Sequence, residues 1–123
     1  SKTDATILQL FYPSTMHAIC NLRVTVNERG SFRVLADNIF LEGSSSISPQ
    51  DKSISISSLI RLGLLEIPED QHASDDKVYE PFKKSTEYIS SLSKYPESKL
   101  TLEKKIVRLT PLGKSFVSCC MPH

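Results

Sequence analysis

The chain has 123 residues, of which 39% are hydrophobic and 24% are charged, so its composition is that of one ordinary globular domain. Its formal net charge of +1 excludes recruitment of nucleic acid or membrane by a field of the whole molecule. The sequence has no apolar run long enough to span a bilayer, and its start at serine predicts one domain excised from a longer chain.

Helical spacing of apolar residues dominates the first 24 positions. A helix cap at Thr3 or Asp4 precedes an apolar stripe, which predicts a helix over 5–11. Pro13 ends that helix. Renewed helical spacing, with a cap at Ser14 or Thr15, then predicts a second helix over 16–24.

The next stretch fits two patterns. Val24 and Val26 alternate with polar residues, and the turn residues of 27–30 would close a hairpin. The apolar residues that follow fit a strand or a helix, and we predict a helix over 32–40. The serine-rich residues 42–53 are predicted to form a surface loop.

A helix is predicted to begin at Asp51 or Ser53 and to carry an apolar face as far as Leu62. Gly63 then supplies the left-handed residue that ends it, since glycine lacks a Cβ. A short buried strand over 64–67 follows and ends at Pro68.

The last third has a clearer pattern. Residues 77–94 are predicted to form a helical segment, and residues 104–109 are predicted to form a strand that pairs with 64–67. Thr110 followed by Pro111 is a strong helix start. Apolar residues then line one face of this last helix: Leu112, Phe116, Cys119 and Cys120. The predicted class is α+β, mainly helical, with a small antiparallel sheet.

The order helix, glycine, strand, loop, strand and capped helix is typical of a winged-helix domain. In such a domain the helix enters the major groove, and wing residues contact phosphates. The groove-facing candidates are Lys52, Ser55, Ser58 and Arg61. The predicted nucleic-acid-binding set is Arg61, Lys104, Lys105 and Arg108. The acidic residues of 66–80, six against one lysine, oppose this interpretation because they lie where a basic wing tip belongs.

No catalytic or metal-binding motif is recognisable. The residues considered for zinc are His17, Cys20, Cys119, Cys120 and His123. Adjacent cysteines diverge by about 100° on a helix, and the chain has no Cys-x-x-Cys, so we predict no metal and no cofactor. Since no cysteine or serine has a histidine in a motif context, we predict that the protein is not an enzyme. The odd number of cysteines indicates a reduced, cytoplasmic protein.

The segments 57–67 and 105–120 resemble the C-terminal part of the abortive infection alpha (Abi-alpha) proteins. The resemblance is carried by Leu-Ile-Arg-Leu-Gly-Leu-Leu-Glu at 59–66 and by Leu-Thr-Pro-Leu-Gly at 109–113. The stretch Tyr-Pro-Ser-Thr-Met-His-Ala at 12–18 is similar too. The resemblance implies a bacterial intracellular protein connected with phage defence, and it supplies no catalytic residues.

The combined expectation is a non-enzymatic interaction or sensing module of a phage-defence protein. Its partner would be another protein, and an exposed apolar patch would also allow homodimerisation. The alternative is a nucleic-acid-binding winged-helix module.

Overall fold

The computed structural model describes residues 1–120, in which four antiparallel strands form one sheet in the order β2-β1-β4-β3. The elements in chain order are α1 (Lys2–Gln9), β1 (Met16–Thr25), β2 (Phe32–Ile39), α2 (Pro49–Arg61), β3 (Leu65–Glu66), a 3-10 helix (Asp76–Lys84), α3 (Thr86–Leu92), a 3-10 turn (Glu97–Lys99), β4 (Leu100–Leu109) and α4 (Pro111–Cys120). The α+β class and the antiparallel sheet are therefore confirmed.

The predicted pairing of the two late strands is confirmed. Leu65 lies opposite Leu109, in antiparallel register. Immediately after β4, the backbone N–H of Thr110 donates to the carbonyl of Leu64 at 3.1 Å, and its hydroxyl donates to the carbonyl of Gly63. The end of α2 and the start of α4 are thus joined directly through Thr110.

Apolar side chains cover both faces of the sheet. The larger cluster packs α1, α2 and α4 on one face, around Ile7, Leu8, Phe11, Ile19, Phe40, Ile56, Leu59, Leu64, Leu65, Val107, Leu109 and Val117. The second cluster packs the 3-10 helix and α3 on the other face, around Cys20, Leu22, Ile39, Tyr79, Phe82 and Tyr88. Because neighbouring residues of a strand point to opposite faces, Ile19 and Cys20 contribute to different clusters.

The predicted helices over 16–24 and 32–40 are wrong, because both segments are strands. The hairpin alternative is correct: the side-chain oxygen of Asn27 accepts from the backbone N–H groups of Arg29 and Ser31, and Gly30 has a φ of 84°. β1 is buried on both faces, and the β1–β2 register shifts twice. Both features disturb the simple alternation from which a strand is recognised.

Two helix starts differ from their predictions. Ser1 caps α1, accepting from the backbone N–H of Asp4 at 3.1 Å, so the helix begins before the predicted caps. Ser48 caps α2 by accepting from the N–H of Asp51, and Pro49 takes the first helical position. Serine followed by proline is a favourable helix start, and it lies within the residues 42–53 predicted as a loop.

Gly63 has a φ of 79°, as predicted for the residue that turns α2 into β3. We expect Gly63→Val to lower the free energy of unfolding by at least about 1 kcal/mol, because a β-branched side chain disfavours this conformation. Thermal unfolding followed by circular dichroism measures the change, with the exposed neighbour substitution Leu62→Val as control. An unchanged melting temperature for Gly63→Val would contradict the assignment.

The winged-helix likeness is not confirmed. The 3-10 helix and α3 lie between β3 and β4, where a winged helix has a short wing loop. The β1–β2 hairpin precedes α2 and adds two strands to the sheet beyond the predicted pair.

Candidate interaction surfaces

The lysines predicted to contact nucleic acid point in different directions. Lys104 and Lys105 are neighbours in β4, so their side chains leave opposite faces of the sheet. Lys104 Nζ lies 3.3 Å from a carboxylate oxygen of Asp76 and 5.6 Å from the ring centre of Tyr79. Lys105 is half-buried on the other face, where it lies opposite Ile19.

The two predicted arginines differ in their surroundings. Arg108 Nε lies 3.4 Å from a carboxylate oxygen of Glu66, so its charge is partly compensated by the neighbouring strand. Arg61 is exposed at the end of α2 and forms no ion pair with any residue of 1–120. The structure therefore does not bring the four predicted bases together on one surface.

Three of the four side chains predicted to read a DNA groove face the protein instead. Lys52 and Ser55 are buried, and Ser58 donates a hydrogen bond of 3.0 Å to the carboxylate of Asp4 in α1. Arg61, the fourth residue predicted on that face of α2, is exposed. The groove-facing assignment is thus wrong for Lys52 and Ser55, because α2 uses that side to pack.

Nucleic-acid binding has a direct test. Phosphate contacts by lysine and arginine make the affinity fall steeply with salt, so a titration of generic duplex DNA should begin at about 50 mM salt. We expect no measurable affinity, because Lys104 and Arg108 are paired with carboxylates and the other two bases lie on different elements. Salt-sensitive binding that weakens in a Lys104→Ala, Lys105→Ala variant would contradict this expectation.

The candidate metal ligands do not converge. His17 and Cys20 lie on opposite faces of β1 and in different core regions. His17 Nε2 donates to the carbonyl of Leu10 at 2.6 Å, and its Nδ1 lies 3.8 Å from the carboxylate of Glu42. Within residues 1–120 no group of three or more potential metal ligands occurs, and the predicted candidate His123 lies outside the described residues.

The three cysteines are free, and they differ in exposure. Burial raises the pKa of the Cys20 thiol to about 12. Cys119 and Cys120 are exposed, and a hydrogen bond with Cys119 raises the pKa of the Cys120 thiol. Because the thiolate is the reactive form, we expect iodoacetamide to modify Cys119 and Cys120 of the folded protein and to spare Cys20. Peptide mass spectrometry checks this result, and labelling in denaturant should reach all three. Modification of native Cys20 at the rate of Cys119 would contradict it.

An apolar face remains exposed at the surface of α4. Leu62, Leu112 and Phe116 expose 61%, 58% and 39% of their area, and Cys119 and Cys120 continue the stripe at helical spacing. Leu112 lies against Gly63, next to Leu62, so the end of α2 and the face of α4 adjoin. We call Leu62, Leu112, Phe116, Cys119 and Cys120 the α4 apolar face.

The α4 apolar face results from the way in which the last helix is anchored. α4 buries Gly113 and Val117 and leaves the adjacent apolar stripe in solvent. A contiguous exposed apolar patch is a feature of protein-interaction sites. In the described part of the chain, no helix combines the length and hydropathy that crossing a membrane requires.

These features define an α+β domain with an exposed apolar face on its last helix. The family model of abortive infection alpha matches residues 1–120, so the chain belongs to the abortive infection alpha family. The match covers the β1–β2 region as well as the C-terminal segments that carried the resemblance.

The fold recurs in a solved structure. That structure is of an uncharacterized protein from the hydrocarbon-degrading marine bacterium Alcanivorax borkumensis SK2, and it superposes with a TM-score of 0.57 at 16% sequence identity. The alignment covers 96% of this chain and 84% of that chain. At this identity the likeness shows the fold alone. No curated protein matches the chain.

Proposed function

We propose that this domain is a non-enzymatic protein-interaction module of a cytoplasmic phage-defence protein, and that the α4 apolar face is its contact surface. The observation that carries the proposal is the exposure of Leu62, Leu112 and Phe116, with Leu112 lying against Gly63 beside Leu62. Membership of the abortive infection alpha family supplies the biological setting.

The surroundings of the α4 apolar face indicate the chemistry of its partner. Arg61 is exposed, has no ion pair within residues 1–120, and directly precedes Leu62. Interfaces combine an apolar centre with a polar rim, and charges of opposite sign on the two partners favour encounter. The expected partner therefore presents an apolar surface with a carboxylate at its border.

The exposure of two free cysteines supports a cytoplasmic setting. Cys119 and Cys120 are neighbours on an exposed helix end, and both are free thiols. Exposed free thiols are characteristic of reducing compartments, since oxidising ones convert them to disulfides. The α4 apolar face, which contains both thiols, would remain in its apolar, reduced form there.

The proposal is tested by phage challenge of bacteria that express the protein containing this domain. We expect the Leu112→Ser, Phe116→Ser variant to lose protection while its abundance and melting temperature stay close to those of the unmodified protein. Substitutions at such half-exposed positions are expected to change stability by about 1 kcal/mol or less each, so lost protection at unchanged abundance would report a lost contact.

The matched control is Ile89→Ser, Leu92→Ser, a double substitution of exposed apolar residues in α3. It should retain protection. Full protection by the α4 variant, or no protection by the unmodified protein against a varied set of phages, would overturn the proposal. Sedimentation of the purified domain distinguishes a different protein from a second copy of this chain as the partner of the α4 apolar face. A dimer that the α4 substitutions dissociate would identify the second copy.

A further inference from the structure

The outer side of β2 carries unpaired backbone groups. β2 ends the sheet order, and its one neighbour in the sheet is β1. The backbone N–H of Val26 donates to the carbonyl oxygen of Ser31 at 2.8 Å. This bond fixes which residues of the hairpin direct their backbone groups towards the partner strand and which direct them outwards. In that register, the N–H and C=O groups of Phe32 and Val34 point away from β1. Across residues 1–120 no other backbone group bonds to them.

The exposed edge leads into a groove between two helices. The groove has a volume of about 650 Å³, with β2 as its floor and α2 and α3 as its walls. The lining residues that bear on binding are Leu35, Asp37, Ser53, Ile54 and Glu87. The hydroxyl of Ser53 already donates to the carbonyl of Asp37 at 2.9 Å, so this edge accepts hydrogen bonds from its outer side.

A second copy of the chain fits this edge poorly in the register that aligns Phe32 with Val34. The two-fold antiparallel register that pairs Phe32 with Val34 of the second copy places Arg33 directly opposite Arg33. Like charges directly opposite each other destabilise a strand pair, and charged residues on edge strands prevent self-pairing. Arg33 is exposed and held by a hydrogen bond to the hydroxyl of Tyr95, which fixes its charge close to the edge.

We propose that the edge of β2 and the adjoining groove bind an extended peptide segment of another protein by strand addition. Phe32 and Val34 are half-exposed on one face of the edge and favour apolar residues opposite them. Arg33 favours an acidic residue between those two. Asp37 and Glu87 in the groove favour a basic residue towards the N-terminus of the antiparallel segment.

This peptide site differs from the α4 apolar face, and its test uses the purified domain without phage. The probe is the N-acetylated, C-amidated peptide Lys-Thr-Thr-Val-Glu-Val-Thr. Antiparallel to β2, its valines lie opposite Val34 and Phe32, and its glutamate lies opposite Arg33. We expect binding with shifted backbone amide resonances over 32–37.

The backbone contribution is tested by N-methylation of both valines of the peptide. This change keeps the side chains and removes the two N–H donors of the added strand. We expect the affinity to fall by about tenfold or more, since each lost hydrogen bond reduces binding. On the protein, Val34→Pro removes an outward donor at an edge position that tolerates proline and should weaken binding similarly.

The charge contribution is tested by exchange of charges. Arg33→Glu should weaken binding of the original peptide and strengthen binding of a peptide with lysine in place of its glutamate. Preserved amide spectra outside 32–37 show that each variant is folded. Equal binding of the methylated peptide, no response of residues 32–34, or no binding at millimolar peptide would overturn the proposal. A dimer through β2 in the unmodified domain would also overturn it.

Discussion

Gly113→Ala is expected to lower the free energy of unfolding by about 3 kcal/mol, which is the upper part of the range for overpacked sites. A Cβ at this position would collide with the carbonyl oxygen of Leu64, which is backbone and cannot rotate away. The same oxygen accepts a hydrogen bond from the N–H of Thr110, so its displacement would disturb the start of α4 as well. Chemical denaturation of the purified domain measures the change.

The sign of this effect makes the test decisive. Within a helix, alanine is more favourable than glycine by about 1 kcal/mol, so an unobstructed Gly113 would be stabilised by the substitution. Ser115→Ala, at an exposed position of the same helix, is the control and should change stability little. A higher melting temperature for Gly113→Ala would show that α4 does not approach Leu64 as closely as the structure indicates.

The contact between Gly63, Leu64, Thr110 and Gly113 explains why the junction of α2, β3, β4 and α4 was predictable. Gly63 needs a positive φ, Thr110 caps α4 by accepting from the N–H of Gly113 at 2.9 Å, and Gly113 leaves room for a neighbouring carbonyl. Each requirement restricts the position to glycine or to a few capping residues through local backbone chemistry. The helix end, the strand pair and the capped helix could therefore be deduced from the sequence.

The N-terminal half was not predictable because its strands lack a simple alternation. β1 is a central strand with apolar residues on both faces, so Ile19 and Cys20 are both buried and mimic helical spacing with Met16. In β2, a register shift between the Arg23–Val34 and Leu22–Ala36 pairs leaves Leu35 as an extra residue, and Leu35 and Ala36 pack against the same core cluster although they are neighbours. Pairing with other strands determines the secondary structure of both segments, and hydrophobic periodicity does not reveal such pairing.

The surfaces were predictable to a smaller degree. Recognition of 104–109 as a strand already implied that Lys104 and Lys105 face opposite sides, so their grouping in one phosphate site could have been rejected from the sequence. The stripe of Leu112 and Phe116 was recognised, but its exposure depends on which side of α4 meets the core. The free edge of β2 was not recognisable, since the segment was predicted as a helix.

Phe11→Ala is expected to destabilise the domain by about 4 kcal/mol, within the range for loss of a buried phenylalanine. Phe11 is fully buried where the end of α1 meets the sheet. Its ring stacks on Phe40 at 5.9 Å between ring centres and meets His17 edge to face at 4.7 Å. His17 in turn donates to the carbonyl of Leu10, so the ring supports the contact that fixes the end of α1 to β1.

The control for this prediction is Phe32→Ala, the same change at an exposed ring, which should cost less than about 1 kcal/mol. The guanidinium of Arg23 lies 4.5 Å from the Phe32 ring centre, and an exposed contact of this kind contributes about 0.5–1 kcal/mol. Equal losses for the two variants would mean that α1 is not part of the cooperative core. A large loss confined to Phe11 would show that the N-terminal helix unfolds together with the sheet, because its end is held by the same aromatic cluster.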